Sequence, residues 1–139
     1  MISFKNKKST TKPQGENYHI MIVDDDVLLG VTVSRHLDSA KYFKTHYFDD
    51  PQKALIQVPR IKPDMIILDW HMPELSGLNF LEKIREDTAT KNVPVFMLTA
   101  KSRGADFEQA CAAGVDGYLT KPVDFKALNE RILRHFAHD

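Results

Sequence analysis

The sequence predicts an α/β fold, a doubly wound five-stranded parallel sheet with five helices. Three observations predict it. Short apolar runs rich in strand-favouring residues alternate with helix-length stretches of helical spacing. Two runs, 65–68 and 95–98, are apolar almost throughout, as strands covered on both faces are. All but the second run lead into acidic, hydroxyl or lysine side chains.

Taken in order, residues 19–23 form the first run and lead into Asp24, Asp25 and Asp26. Leu29, Val33 and Leu37 then recur at i, i+4 and i+8, a first helix with Asp26 at its start. A weaker run, 44–48, is the second strand, and Asp50 before Pro51 is a helix-start signal. Residues 65–68 lead into Asp69. Ser76 before Gly77 opens a helix marked by Leu78, Leu81 and Ile84. Residues 93–98 lead into Thr99 and Ala100. The alanine-rich "ADFEQACAAG" is the fourth helix, with Cys111 expected as a small packed residue. Residues 117–119 lead into Thr120, Lys121 and Pro122. Asp124 then starts a last helix along Phe125, Leu128, Ile132 and Phe136. The charges of "LEKIREDTATK" are expected on a solvated helix face and the loop after it, Trp70 as a packing residue at the site rim, and His135 and His138 at the surface. Crossovers are expected right-handed, in strand order 2-1-3-4-5.

Bulk properties narrow the function. A chain of 139 residues, 42% hydrophobic, suits one compact domain. Zero formal net charge gives no footprint for nucleic acid or an anionic membrane. Residues 1–17 carry Lys5, Lys7, Lys8 and Lys12 against Glu16 and read as a disordered basic extension, leaving 18–139 as the domain. Cys111 is the only cysteine, so no intrachain disulfide forms, which fits a reducing cytoplasmic setting. No apolar run approaches the ~20 residues of a membrane helix, and the basic N-terminus lacks a signal peptide's apolar stretch.

Ligands of such sheets bind beyond the carboxyl ends of the strands. Strands 1 and 3 are neighbours in the expected order, so Asp69 faces the triple-Asp turn. Three carboxylates within ~5 Å repel by roughly 10 kcal/mol in total at an effective dielectric of ~20. They need a counter-charge or a shared proton. An all-oxygen pocket without cysteine or a convincing histidine set favours a hard divalent cation such as Mg²⁺. Strands lie ~4.8 Å apart, so the Thr99 hydroxyl can reach a group on Asp69, and Lys121, two strands over, can reach it with its long side chain. A phosphoryl group on a carboxylate calls for such surroundings. Asp69 alone lies between the acids and the Thr/Lys pair, which makes it the nucleophile candidate.

The motifs "IMIVDDD", "IILDWHMPELSG", "VFMLTAKS" and "GYLTKPV" resemble, in order and spacing, the receiver domain of two-component response regulators, with its chemotaxis-regulator-like, flavodoxin-like fold. The resemblance covers about 18–137. It implies that Asp69 takes a phosphoryl group from a phosphohistidine on a sensor histidine kinase or histidine phosphotransfer protein. It implies Mg²⁺ on Asp24, Asp25 and Asp69 with the backbone carbonyl of His71. Lys121 then contacts the phosphoryl group, Thr99 and Tyr118 form a switch pair, and the Lys121–Pro122 bond is cis. The implied output is protein contact on the face of the fourth helix (105–113), fifth strand and fifth helix, with no nucleic acid or membrane partner. The resemblance also implies a domain that assists its own phosphorylation and dephosphorylation without being an enzyme in the ordinary sense. A stand-alone regulator is the simplest expectation, and a receiver cut from a longer protein is the other.

Three rival readings remain. "IVDDDVL" resembles the first motif of haloacid-dehalogenase-type phosphatases, with Asp24 as nucleophile and Asp26 as acid/base, but Leu28 and the missing late acidic pair depart from it. A flavin-binding module would need a phosphate-binding loop where three acids stand. A degenerate, phosphate-independent receiver would not need Asp24, Asp25, Asp69, Thr99 and Lys121 together.

Overall fold

A computed structural model of the chain describes residues 12, 13, 15–100 and 104–137. The elements run β1 Tyr18–Val23, α1 Val27–Asp38, β2 Phe43–Phe48, α2 Pro51–Ile61, β3 Met65–Asp69, α3 Gly77–Glu86, β4 Val95–Ala100, α4 Gly104–Ala113, β5 Gly117–Lys121 and α5 Phe125–Ala137. All strand pairs are parallel, in the order β2-β1-β3-β4-β5. Three strands extend past their apolar runs at the carboxyl end, so Asp69, Thr99 and Lys121 are strand residues held by the sheet.

Alternation along the strands builds two cores. Met21, Val23, Ile66, Leu68, Val95 and Met97 face α2, α3 and α4 through Val58, Phe80, Leu81, Ile84 and Ala110. Ile20, Ile22, Met65, Ile67, Phe96 and Leu98 face α1 and α5 through Val33, Leu37, Leu128, Ile132 and Phe136. Both faces of the central strands are thus covered, and β3 is buried along its whole length. β2 lies at the sheet edge and is mostly half-buried, which explains its weak apolar signal. Helix starts follow the side-chain caps: Asp26 accepts from Leu29 N–H, Asp50 from Gln52 N–H, and Ser76 from Asn79 N–H. Asp124 accepts from the N–H groups of Lys126 and Ala127 at 3.0 and 3.3 Å.

Four expectations change. Cys111 is exposed, because the helix period turns its neighbour Ala110 inward instead. Trp70 packs as expected but in the core rather than at the rim, since it continues the inward set of Ile66 and Leu68 one residue past β3. Arg85, in the charged stretch expected to be solvated, is a clamp. Its guanidinium donates to Val93 O at 2.7 Å, Lys91 O at 3.1 Å and Gly114 O at 2.9 Å, and pairs with Asp116 at 3.1 Å. The clamp ties α3 to the segments entering β4 and β5. His135 is half-buried with its ring edge-on to Phe96, while His138 lies outside the described residues. Most of the basic stretch 1–17 also lies outside them. Lys12 pairs with Asp64 at 3.2 Å and donates its N–H to the Tyr18 hydroxyl at 2.9 Å.

Across β1 and β2, His19 Nδ1 and His46 Nε2 lie 2.9 Å apart, with nearly parallel rings. Burial, then the charges of His19 and Lys44, lower the His46 pKa from 6.5, with Asp38 opposing. Folded His46 therefore holds its proton less firmly than unfolded His46. The His46 contribution to stability is present above pH 6.5 and is lost as pH falls through its lowered folded value. Urea unfolding at pH 7.5 and 5 should show a smaller acid loss in His46→Gln than in wild type. An equal loss would mean that the pair does not couple to folding.

Candidate functional site

The three consecutive acids after β1 take three different positions. Asp24 is 0% exposed, and its Oδ1 accepts the Asp26 N–H at 2.9 Å. Asp25 is exposed. Asp26 caps α1 through Leu29 N–H at 3.1 Å, so it serves the helix rather than the site. Sequence reasoning missed the support beneath this turn. The Tyr47 hydroxyl donates to Asp24 O at 2.8 Å from the edge strand. Burial and then the charge of Asp49 push its pKa up to about 12, so it stays a donor. The Tyr47 ring passes over α1 at Gly30, where a Cβ would stand 2.1 Å from Cε1. A glycine inside an apolar helix face was the available signal.

Asp69 ends β3 and is 4% exposed. The chain leaves it through a turn that closes against the strand end, with Gly77 N–H donating to Trp70 O at 3.0 Å. A Cβ at Gly77 would lie 2.8 Å from Asp69 O, so glycine lets α3 start this close to the acid.

Lys121 reaches in from the end of β5. Its Nζ lies 3.3 Å from Asp69 Oδ1 and 3.5 Å from Asp24 Oδ2. Burial disfavours the ammonium, but Asp69 and Asp24 outweigh it, and the Lys121 pKa is raised. One ammonium does not balance the cluster. Burial first, then the Asp24 charge, lift the Asp69 pKa to about 7, with Lys121 opposing. Asp24 Oδ2 is buried with no hydrogen-bond partner, and the ammonium is its nearest counter-charge. Asp24, Asp25 and Asp69 can each offer one oxygen within 4.8 Å of the others, the one such group among the described residues. Two buried, under-neutralised carboxylates and an exposed third, all offering oxygen, fit a hard divalent cation.

Thr99 is buried near the end of β4, and its hydroxyl makes one long contact, 3.5 Å to Ala100 O. The register pairs Thr99 with Thr120 and Met97 with Tyr118. Tyr118 is therefore offset by two residues from Thr99. It is 37% exposed, its ring centroid 4.7 Å from that of Phe107 on α4. The Lys121–Pro122 bond is cis. The His71 N–H points at Asp69 Oδ1 from 3.4 Å, while its imidazole turns outward to Asp106 on α4. No local pattern pairs two residues this far apart in the chain.

The repulsion in this cluster resides with the buried pair. Asp69→Asn should raise metal-free stability by about 1–2 kcal/mol, part of the ~3 kcal/mol that two carboxylates ~5 Å apart cost at a dielectric of ~20. Lys121 already offsets the rest. Asp25→Ala, at an exposed position, should change stability by less than about 0.5 kcal/mol. Urea unfolding in the presence of a chelator measures both, and a destabilised Asp69→Asn would contradict the repulsion.

A family model, the response regulator receiver domain, matches residues 20–133. Chemotaxis protein CheY-3 of Vibrio cholerae is 33% identical over 121 residues, 87% of this chain and 93% of that protein. The phosphate regulon transcriptional regulatory protein PhoB of Escherichia coli K12 is 33% identical over 113 residues, 81% of this chain and 49% of that one. Among solved structures, Vibrio cholerae CheY4 superposes with a TM-score of 0.80 at 27% identity, covering 86% of this chain and 98% of that one. The receiver domain of sensor histidine kinase PA1611 from Pseudomonas aeruginosa PAO1, with a magnesium ion coordinated in its active-site cleft, gives 0.79 at 25% identity, covering 88% and 100%. Sequence motifs, strand order and these likenesses agree: the chain belongs to the response regulator receiver domain family, a signalling domain of two-component systems.

Proposed function

We propose that the domain, residues 18–139, accepts a phosphoryl group on Asp69 from a phosphohistidine and switches a protein-binding face. The observation that carries the reading is the position of Asp69, a buried carboxylate sharing the Lys121 ammonium with Asp24, beside the exposed Asp25. An Asp69 carboxylate oxygen attacks phosphorus, the phosphorus–nitrogen bond of the donor breaks, and the imidazole leaves with the electron pair and takes up a proton. Lys121 pairs with the phosphoryl oxygens, and the Thr99 hydroxyl donates to one of them. Asp24, Asp25, Asp69 and the His71 carbonyl would hold Mg²⁺, which supplies positive charge for the transferring group. The same residues would assist hydrolysis of the acyl phosphate by admitting water.

The donor is a sensor histidine kinase or a histidine phosphotransfer protein, and the location is the cytoplasm. Among the described residues no helix is long and apolar enough to cross a membrane. The output partner is a protein that reads α4, β5 and α5. Phe107 and Tyr118 already form an exposed aromatic pair there.

Acetyl phosphate or phosphoramidate with Mg²⁺ should add one phosphoryl group, read by intact mass, and Asp69→Asn should abolish it. Undiminished labelling of that variant would remove the assignment.

Thr99 and Tyr118 form the switch. The Thr99 hydroxyl, with only a long contact at rest, moves to the phosphoryl group, and the Tyr118 ring turns inward. Going from 1:99 to 99:1 needs ~5.5 kcal/mol, which a few charge-assisted hydrogen bonds of ~1.5–3 kcal/mol each supply. Thr99→Ala should still accept phosphate yet show a weakened shift at Tyr118, measured by NMR with and without beryllofluoride. Equal shifts in variant and wild type would send the coupling by another route.

A further inference from the structure

α4 is the helix held least by the core, since along Gly104–Ala113 only Ala110 is buried. What holds it sits largely at its ends. Beyond its C-terminus, Arg85 Nη2 and Nε donate to Gly114 O at 2.9 and 3.3 Å, and Val115 N–H returns to Ala110 O at 3.1 Å. In its first turns, Asp106 Oδ2 takes the His71 Nε2 hydrogen bond and Phe107 meets Tyr118. The two ends differ in kind. The Arg85 clamp joins α4 to the frame of the sheet, whereas the Asp106 contact joins it to the mouth of the acceptor site.

His71 belongs to both. Its main-chain N–H addresses Asp69 Oδ1 at 3.4 Å, and its imidazole grips α4. The imidazole is 48% exposed and the Asp106 side chain 17%, so the contact lies at the surface, where a small main-chain shift can make or break it. We propose that His71 is a positioning residue that carries the state of Asp69 to the first turn of α4 through its contact with Asp106. The proposal rests on the reading of Asp69 as the phosphoryl acceptor. Formation of the acyl phosphate removes the carboxylate charge that the His71 N–H addresses and brings the bulk of a phosphoryl group beside that N–H. The main chain at 71 must then readjust, and the side chain moves with it. α4 responds at its first turn while its far end stays on Arg85. This route starts from the turn after β3, whereas the Thr99–Tyr118 pair acts from β4 and β5 and meets α4 at Phe107.

The test is amide hydrogen exchange across α4 with and without saturating beryllofluoride and Mg²⁺, in wild type, Asp106→Ala and Asp106→Asn. Beryllofluoride binding is followed by Trp70 fluorescence in each. Both variants lose the acidic charge of the first turn, but asparagine keeps an acceptor for the imidazole N–H. The comparison therefore isolates the contact from the charge. In wild type, beryllofluoride should change first-turn exchange by about three- to tenfold, the scale of one hydrogen bond, with little change beside Gly114. Asp106→Ala should reduce the response to less than about twofold, Asp106→Asn should largely restore it, and His71→Ala at saturation should match Asp106→Ala. A full response in Asp106→Ala with beryllofluoride bound overturns the coupling while leaving the acceptor reading intact. A wild-type protein that neither binds beryllofluoride nor accepts a phosphoryl group removes the acceptor reading, and the coupling falls with it.

Discussion

Two carboxylates, Asp24 and Asp69, are buried side by side with one ammonium between them, and the carboxyl end of the sheet is built around this constraint. Burying like charges costs several kcal/mol unless something answers them. Lys121 answers in part and is itself held charged by both acids. The remaining imbalance shows in the raised Asp69 pKa and in Asp24 Oδ2, buried with no hydrogen bond and only the shared ammonium at 3.5 Å. A site that is under-neutralised at rest is poised to take a cation. The same imbalance ties a part of folding stability to what the site binds.

Much of the molecule holds this cluster at fixed spacing. β1 and β3 are hydrogen-bonded neighbours in the sheet centre, so the two acids cannot drift apart. Tyr47 fixes the Asp24 main chain from β2, and Gly30 clears the space for its ring. Gly77 lets α3 start against the end of β3. These contacts are main-chain hydrogen bonds, one side-chain hydrogen bond to the main chain and close steric fits. The response side is built the opposite way. Tyr118 is partly exposed, Thr99 has no strong hydrogen-bond partner, and α4 is anchored by side chains at its ends. Firmly placed acids beside loosely held side chains are the arrangement that the proposed phosphorylation of Asp69 would need to move a surface without deforming the sheet.

The chain spans nearly all of a chemotaxis regulator and about half of a transcriptional regulator that carries a receiver. Receiver domains of this family interact with histidine kinases and with downstream effectors. The part shared with both relatives is the receiver domain as a whole, sheet and helices together.

The amino-acid sequence by itself determined the element order, because apolar periodicity and cap residues are local signals, and the alternation of strands and helices pointed to a parallel sheet, for which 2-1-3-4-5 is the common strand order. It also marked Asp24, Asp25, Asp69, Thr99 and Lys121, since each stands where an apolar run gives way to a polar residue, and parallel strands carry all such positions to one edge. Tertiary structure decided the rest. Asp24 is buried while Asp25 is exposed, which depends on how the turn meets α1. Cys111 points outward and Trp70 inward, through the phase of a helix and of a strand. Arg85 clamps main-chain carbonyls, Tyr47 supports Asp24, and His71 meets Asp106. Each of these joins residues brought together only by packing of separate elements, and no periodicity within a single stretch of chain encodes such a contact.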